Sequence, residues 1–212
     1  YGARFYPSIS GVARSLNYSP IGDEKAEEGT VSLALGLGKY IVDGGLTLRV
    51  CPYHPDKVLQ TSEMEMALRE TQTRFYALDL KNMGQNFSLD DGFNLLKLPV
   101  KEAENDGSLN YIASTYDPYD MVIRDGIYPG GRKVITFANI LQHDVFPLAR
   151  ILQLVQKYGQ GEMRRPVEIE FAVNLNAAEK KGVFYLLQIR PMVDMKADLN
   201  EDLDAIPEDQ LL

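Results

Sequence analysis

The sequence predicts an α+β fold in which strands pair mostly antiparallel and helices flank the sheet. The first observation is residues 165–192, where two strand-like segments are joined by a polar loop, the pattern of a hairpin. The second is a series of shorter strand-like segments earlier in the chain, at residues 30–35, 46–50, 74–80, 93–100 and 132–137. The third is the amphipathic pattern of residues 144–158, which predicts a helix with one apolar face.

The boundaries of this helix can also be predicted from the sequence. Asp144 is expected at its N-cap and Pro147 in its first turn, and Gly159 and Gly161 are expected to end it. His143 lies just before the predicted start. A histidine beside an aspartate can act as a general base, but it is more often a capping or surface residue.

Length, composition and charge limit the class of protein. The chain has 212 residues, of which 45% are apolar and 25% charged, as in a soluble globular domain with a sizeable core. Its net charge of −8 disfavours nucleic acid and anionic membranes as partners. No apolar run approaches the roughly 20 residues of a membrane span. The single cysteine, Cys51, excludes an internal disulfide and fits a reducing, cytoplasmic compartment; it is interpreted as a small buried hydrophobic residue.

Several fingerprints of nucleotide and metal sites are absent from the sequence. There is no G-x-x-x-x-G-K-[ST] loop and no G-x-G-x-x-G, so neither a P-loop nucleotidase nor a dinucleotide fold is supported. Cys-x-x-Cys and His-x-x-x-His spacings are missing as well, which leaves oxygen ligands and Mg²⁺ as the expected metal chemistry. The tyrosine-rich residues 111–131 are either a platform for a sugar or base or a surface excursion with half-buried tyrosines.

The predicted hairpin carries the strongest functional pattern. Residues 167–173 alternate apolar and polar side chains, and residues 183–189 are rich in aromatic and branched apolar side chains. The polar loop at 174–182 ends in glycine. Strand parity places two sets on shared faces, namely Glu168, Glu170 and Ala172 in the first strand, and Leu186, Gln188 and Arg190 in the second. Where these faces meet, carboxylate and amide oxygens can hold Mg²⁺ and an arginine can bind phosphate. The alternative is an edge hairpin with a solvated polar face.

This hairpin resembles part of a known family. IEF followed by LLQIRPM is similar to the end of the nucleotide-binding domain of the phosphoenolpyruvate synthase and pyruvate phosphate dikinase family, whose strands carry IE-F/W and then LQ-x-R. The resemblance implies that Glu170 and Gln188 bind the metal and that Arg190 contacts the nucleotide phosphates and takes part in catalysis. The family fold is ATP-grasp, in which two α+β lobes clamp ATP between antiparallel sheets.

The resemblance also predicts how the chain is organised. Residues 1–192 are identified as the distal part of an ATP-grasp domain, an ATP-grasp-like lobe with a mostly antiparallel sheet and flanking helices. Within that part, residues 55–131 are a variable excursion. Residues 193–212 are an acidic linker or tail. The first lobe, a domain with a phosphorylated histidine and a pyruvate-binding barrel are expected in the parent protein, outside this chain.

A second, looser resemblance lies nearer the start of the chain. Residues 10–14, SGVAR, are similar to the family's SGVAF, with Arg14 where the family usually has an aromatic residue. The turn Gly36-Leu37-Gly38 is similar to the family's GLG segment, which implies that Gly36 and Gly38 let the backbone approach the nucleotide. A turn without any ligand uses the same residues. The family's acidic residues before and after this segment fall near Ser32 and on Lys39, so the chain departs from the family there.

Two functional hypotheses follow from these residues. In the first, the chain is the part of a phosphotransferase that binds Mg²⁺ and ATP, and the parent protein passes phosphate from ATP through a histidine toward pyruvate. The isolated chain is then expected to be inactive. In the second, motivated by the departures near Ser32 and Lys39, it is a non-catalytic binding or regulatory module of ATP-grasp shape.

Overall fold

The computed structural model describes residues 3–81, 94–176 and 181–192. The strands in these residues are β1 (Arg4–Phe5), β2 (Ile9–Arg14), β3 (Thr30–Ala34), β4 (Leu48–Val50), β5 (Arg74–Asp79), β6 (Leu95–Pro99), β7 (Ala113–Asp117), β8 (Val122–Asp125), β9 (Arg132–Ile135), β10 (Val167–Asn176) and β11 (Lys181–Pro191). The α-helices are α1 (Lys39–Val42), α2 (Met64–Glu70), α3 (Ala138–Leu141) and α4 (Leu148–Met163). Short 3-10 segments lie at Ala26–Glu28, Leu59–Thr61 and Val100–Ala103.

A five-stranded sheet, in the order β11-β10-β2-β3-β4, organises the fold. All of its neighbouring strands run antiparallel. Two smaller three-stranded sheets, β1-β5-β6 and β8-β7-β9, are also antiparallel. The prediction of an α+β fold with a mostly antiparallel sheet and flanking helices is therefore confirmed.

One face of the large sheet forms the hydrophobic core. Because side chains alternate along a strand, every second residue of β10, β2, β3 and β4 points into it, and the buried set is Ile9, Ala13, Val31, Leu33, Leu48, Val50, Val167, Ile169, Phe171 and Val173. Helix α4 lies against this face and contributes the buried residues Leu148 and Leu152. The opposite face of the same strands, which we call the open face, carries Arg14, Ser32, Arg49, Glu168 and Glu170. Its Ala34 end is buried against Tyr40 and Tyr76.

A glycine lets the core face pack closely across two strands. Gly11 pairs with Phe171 in the antiparallel register of β2 and β10. A Cβ added to Gly11 would lie 2.2 Å from the Phe171 Cζ atom, so the ring occupies the space that a side chain would need. The sequence therefore places its smallest residue beneath one of the largest buried rings of the core.

The predicted bounds of the long helix are wrong at both ends. Helix α4 runs over Leu148–Met163 with Pro147 at the N-cap, whereas Asp144 has a φ of 49° and lies before the helix. Gly159 does not end the helix; it is buried, and an added Cβ would lie 2.4 Å from Ile189 Cδ1. This glycine brings the helix close to β11. Arg164, in the left-handed region with a φ of 55°, takes the C-cap position instead.

The tyrosine-rich residues 111–131 contribute β7 and β8 to the sheet β8-β7-β9. Tyr116 is half-buried, whereas Tyr119 is 96% exposed at the turn between these strands. The interpretation of this segment as a platform for a sugar or base stays a prediction. The predicted acidic linker or tail, residues 193–212, lies outside the described residues, as do residues 177–180 of the predicted hairpin loop. In the part of the chain that is described, no helix has the length and apolar character needed to cross a membrane.

Candidate functional site

The antiparallel pairing of β10 with β11 brings the predicted site residues together on the open face. Glu170 pairs with Gln188, and Glu168 pairs with Arg190, in neighbouring rows of the ladder. On the other side of β10, Glu170 pairs with Val12 and Glu168 with Arg14 of β2. Paired residues of antiparallel strands project from the same face. The convergence of carboxylate, amide and guanidinium that the hairpin pattern predicts is therefore present.

A β-bulge interrupts strict alternation one residue further on. The register shifts between Glu170 and Phe171, so that Leu186 pairs with Phe171 and Ala172 pairs with Tyr185. The expectation that Leu186 continues the row of Gln188 and Arg190 is therefore wrong. A bulge changes which side chains a strand presents, and here it lies directly beside the candidate metal ligands.

Glu168 forms the centre of an ion-pair trio on the open face. The Arg14 Nε atom donates to Glu168 Oε2 at 2.7 Å, and the Arg190 Nε atom donates to Glu168 Oε1 at 3.0 Å, with a second contact from Arg190 Nη2. The Glu168 side chain is only 13% exposed, whereas those of Arg14 and Arg190 are 50% and 56% exposed. The two cations thus cover the carboxylate and leave the trio with a net positive charge.

The charges of this trio stabilise one another. Burial by itself raises the pKa of Glu168, but the hydrogen bonds and charges of Arg190 and Arg14 outweigh burial and hold this pKa below its usual value. The same hydrogen bond from Arg190 to Glu168 raises the pKa of the guanidinium. Glu168 therefore stays ionised and fixes the orientation of Arg190 beside Glu170.

Glu170 and Gln188 lie in the neighbouring row with their side chains accessible. Glu170 is half-buried and Gln188 is exposed. Among the residues that the structure describes, neither side chain forms a hydrogen bond or ion pair. A carboxylate oxygen and an amide oxygen on paired residues suit a hard cation such as Mg²⁺, which prefers oxygen ligands. The residues present therefore fit the ion that the sequence predicts.

The turn after β3 lies on the same face, further along the strands. Ser10 pairs with Ala172, two residues from Glu170, and its hydroxyl donates to the Gly36 carbonyl oxygen at 2.6 Å. Two residues of a strand span roughly 7 Å. The turn that contains Gly36 and Gly38 is therefore near the row of Glu170.

Gly36 is required by packing. Its φ is 89°, and an added Cβ would lie 2.6 Å from the Tyr76 carbonyl oxygen of β5. Gly38 has an ordinary helical conformation at the start of α1, and a Cβ there would be 3.9 Å from the Ser10 Cβ atom. The turn thus has a structural reason for its first glycine, and a role of either glycine in nucleotide binding stays a prediction.

Lys39 and Ser32, the positions where the sequence departs from the family pattern, both have defined contacts in the structure. Lys39 forms an ion pair with Asp43 at 3.0 Å, and Asp43 also accepts a hydrogen bond from the Tyr76 hydroxyl at 3.0 Å. Ser32 pairs with Val12 and Arg49 in the sheet, on the open face. His143, on the other hand, is exposed and lies 3.2 Å from Asp125. This pairing fits its interpretation as a surface residue.

Sequence reasoning assigned no role to Glu168 or Arg14, although they complete the trio with Arg190. The parity of the hairpin already put Glu168 on the right face. The missing information was that β2 lies beside β10, because only this neighbour brings Arg14 to Glu168. Such a contact between strands 154 residues apart in the chain is not visible in a local pattern.

The comparison with known families agrees with this geometry. The family model described as the AMP/ATP-binding domain of pyruvate phosphate dikinase matches residues 3–209. The chain belongs to this family. Among curated proteins, none matches the chain at a significant level. The family membership confirms the resemblance seen at the hairpin, and it supports ATP as the ligand of this dikinase-type domain.

A cavity lies elsewhere on this dikinase-type domain, away from the residues of the open face. It measures about 620 Å³ and lies beside α4, where its lining includes Gln156, Lys157 and Arg165. The carboxylate and amide of the open face are not part of its lining.

Proposed function

We propose that Glu170 and Gln188 bind the Mg²⁺ of Mg²⁺–ATP and that Arg190 contacts the nucleotide phosphates, in a protein that passes phosphate from ATP through a histidine toward pyruvate. The observation that carries the proposal is the pairing of Glu170 with Gln188 beside the Glu168–Arg190 ion pair. Family membership over residues 3–209 supports ATP as the nucleotide.

The donor set suits the cation. Mg²⁺ usually keeps several waters and is held by one or two carboxylates together with substrate phosphates. Glu170 and Gln188 would supply two protein oxygens from adjacent strands. When bound, the ion neutralises charge on the phosphates. Glu170 and Gln188 would fix the position of the ion.

Arg190 keeps donors for a phosphate while it is held by Glu168. A guanidinium has five N–H donors in a planar fork, and Glu168 engages those on Nε and Nη2. The Nη1 side of the fork can therefore face a phosphate oxygen. Because Glu168 fixes the plane of the group, less side-chain entropy is lost when the phosphate binds.

The test uses the full-length protein that contains this chain. Calorimetry with ATP in Mg²⁺ should show binding that Glu170→Ala and Gln188→Ala each weaken at least about tenfold, since each removes one ligand of a site with few protein ligands. Arg190→Ala should lower ATP-dependent turnover about 10²–10³-fold, the effect of removing one preorganised charge-stabilising group.

The matched control is Glu162→Ala, which removes an exposed carboxylate from α4, away from the open face. This variant should bind ATP and turn over like the parent. Unchanged turnover in Arg190→Ala, or equal losses in Glu162→Ala and Glu170→Ala, would defeat the assignment of these residues.

The alternative is a non-catalytic binding or regulatory module of the same shape. The ion pair of Lys39 with Asp43 favours it, because a cation stands where the family has an acidic residue. Incubation of the full-length protein with ATP labelled at both the β- and the γ-phosphate discriminates between the two. Label on a histidine supports the phosphotransferase, whereas nucleotide binding without any labelled protein supports the module.

A further inference from the structure

A second group of metal-ligating side chains meets at the β4 edge of the large sheet, away from Glu170. Glu28 ends the 3-10 segment Ala26–Glu28, Cys51 follows β4 directly, and His54 lies three residues later. One carboxylate oxygen of Glu28, the Cys51 Sγ atom and one ring nitrogen of His54 all lie within 4.8 Å of one another. They combine a carboxylate, a thiol and an imidazole.

The distances are close to those around one metal ion. Glu28 Oε2 is 3.8 Å from Cys51 Sγ and 3.1 Å from His54 Nε2. Zinc binds nitrogen and oxygen at about 2.0–2.2 Å and sulfur at about 2.3 Å, so ligand atoms of a tetrahedral ion lie roughly 3.3–3.6 Å apart. Shifts of a few tenths of an ångström would therefore bring both pairs to that spacing.

The local backbone holds the three groups in this arrangement. The His54 N–H donates to the Cys51 carbonyl oxygen at 3.0 Å, which closes the turn that carries both side chains. The Lys25 N–H donates to Glu28 Oε2 at 2.9 Å and orients the carboxylate. Cys51 is fully buried, and the side chains of His54 and Glu28 are 24% and 16% exposed. The group is thus preorganised and partly shielded from water.

Hydrogen-bond contacts with one oxygen, Glu28 Oε2, connect the three side chains. The Cys51 thiol donates to Glu28 Oε2 at 3.8 Å. The imidazole of His54 lies at hydrogen-bond distance from the same oxygen. One divalent ion placed between the three atoms would replace both contacts at once.

We propose that Glu28, Cys51 and His54 form a zinc site with three protein ligands and a fourth position open to water. Thiolate and imidazole ligands select zinc over magnesium, which prefers oxygen, so this site is distinct in chemistry from Glu170 and Gln188. His54 also lines a cavity of about 390 Å³, through which water can reach the fourth position. The bound ion ties the loop before β3 to the end of β4.

The purified chain with Co²⁺ in place of zinc provides the test. A thiolate ligand and tetrahedral geometry should give a near-ultraviolet charge-transfer band and strong visible absorption at one equivalent of Co²⁺, and Zn²⁺ should abolish both. Zn²⁺ should also raise the unfolding temperature, because it binds the folded state alone. Cys51→Ser should lose the charge-transfer band. His54→Gln should weaken zinc binding by more than the about 10–100-fold that loss of a supporting contact costs.

Two matched controls sharpen the result. His143→Gln removes the other histidine, which also faces a carboxylate, at 3.2 Å, but has no cysteine beside it. Glu170→Gln alters the proposed magnesium site and leaves the zinc ligands in place. Both variants should keep the cobalt spectrum. Absence of the charge-transfer band in the unaltered chain, or its persistence in Cys51→Ser, would overturn the proposal, and neither outcome depends on how a variant folds.

Discussion

The two faces of the five-stranded sheet use the same strands for opposite purposes. On the core face, Ile169 and Phe171 are buried, and Phe171 packs against Gly11 and Phe184. On the open face, Glu168 and Glu170 of the same strand face Arg190 and Gln188. The core face therefore sets the register of β10 and β11, and this register decides which charged groups meet on the open face. Substitutions of the residues of β10 on the core face should therefore lower stability, whereas substitutions of the alternate residues on the open face should affect binding.

The largest expected effect comes from a break in the core face. Phe171→Ala should lower the free energy of unfolding by about 3–5 kcal/mol, because it empties the space between Gly11 and the ring of Phe184. Glu170→Ala, one residue away but on the open face, should change it by less than about 0.5 kcal/mol. Urea denaturation of the two variants measures the contrast. Similar losses in both would show that parity does not separate the faces.

A pair of helix glycines tests how tightly α4 packs against the sheet. Gly159→Ala should cost about 1–3 kcal/mol, since the new methyl group would meet Ile189 Cδ1. Gly161→Ala, in the same helix with nothing within 4 Å of an added Cβ, should stabilise the protein by about 1 kcal/mol through helix propensity. Thermal unfolding of both variants measures the two changes in stability. Stabilisation by Gly159→Ala would show that α4 does not approach β11 so closely.

These glycines also show where sequence reasoning succeeds and where it stops. The pairing of Glu170 with Gln188 follows from strand parity and the hairpin, both of which are local patterns. Gly159 was expected to end α4, because a glycine that packs against another element and a glycine that ends a helix look alike in sequence. The bulge beside Glu170 and the approach of Arg14 to Glu168 depend on neighbouring strands, so no local pattern carries them.

The same limit applies to the proposed zinc ligands. A Cys-x-x-His pair is visible at Cys51 and His54, but the third ligand, Glu28, comes from a loop 23 residues earlier than Cys51. The spacing that identifies many zinc sites is a spacing of paired cysteines or histidines. Only the fold, which brings the loop to the edge of β4, shows that the three side chains meet.

The ion-pair trio should make the open face sensitive to acid. The pKa of Glu168 is lower in the folded protein than in the unfolded chain, so its stabilising contribution is complete above the unfolded pKa of about 4.3 and is lost as pH falls through the folded pKa. Glu168→Gln should therefore reduce stability at neutral pH by about 1 kcal/mol, and the difference should shrink on acidification. Denaturation from neutral pH downward measures this. Glu170→Gln is the control, and a deficit that grows in acid would contradict the assignment.

The smallest expected effect is catalysis by the isolated chain, which should fold and yet transfer no phosphate. The core face contains what folding requires, so cooperative unfolding is expected. The open face offers the triphosphate few groups, because Arg190 would be one guanidinium for three phosphates, and Glu170 with Gln188 would give Mg²⁺ only two protein oxygens. Nucleotide binding should then be in the millimolar range, worth about 4 kcal/mol. Incubation with radiolabelled ATP and Mg²⁺ provides the measurement. Stoichiometric labelling of the chain, or ATP turnover above that of buffer, would contradict this prediction.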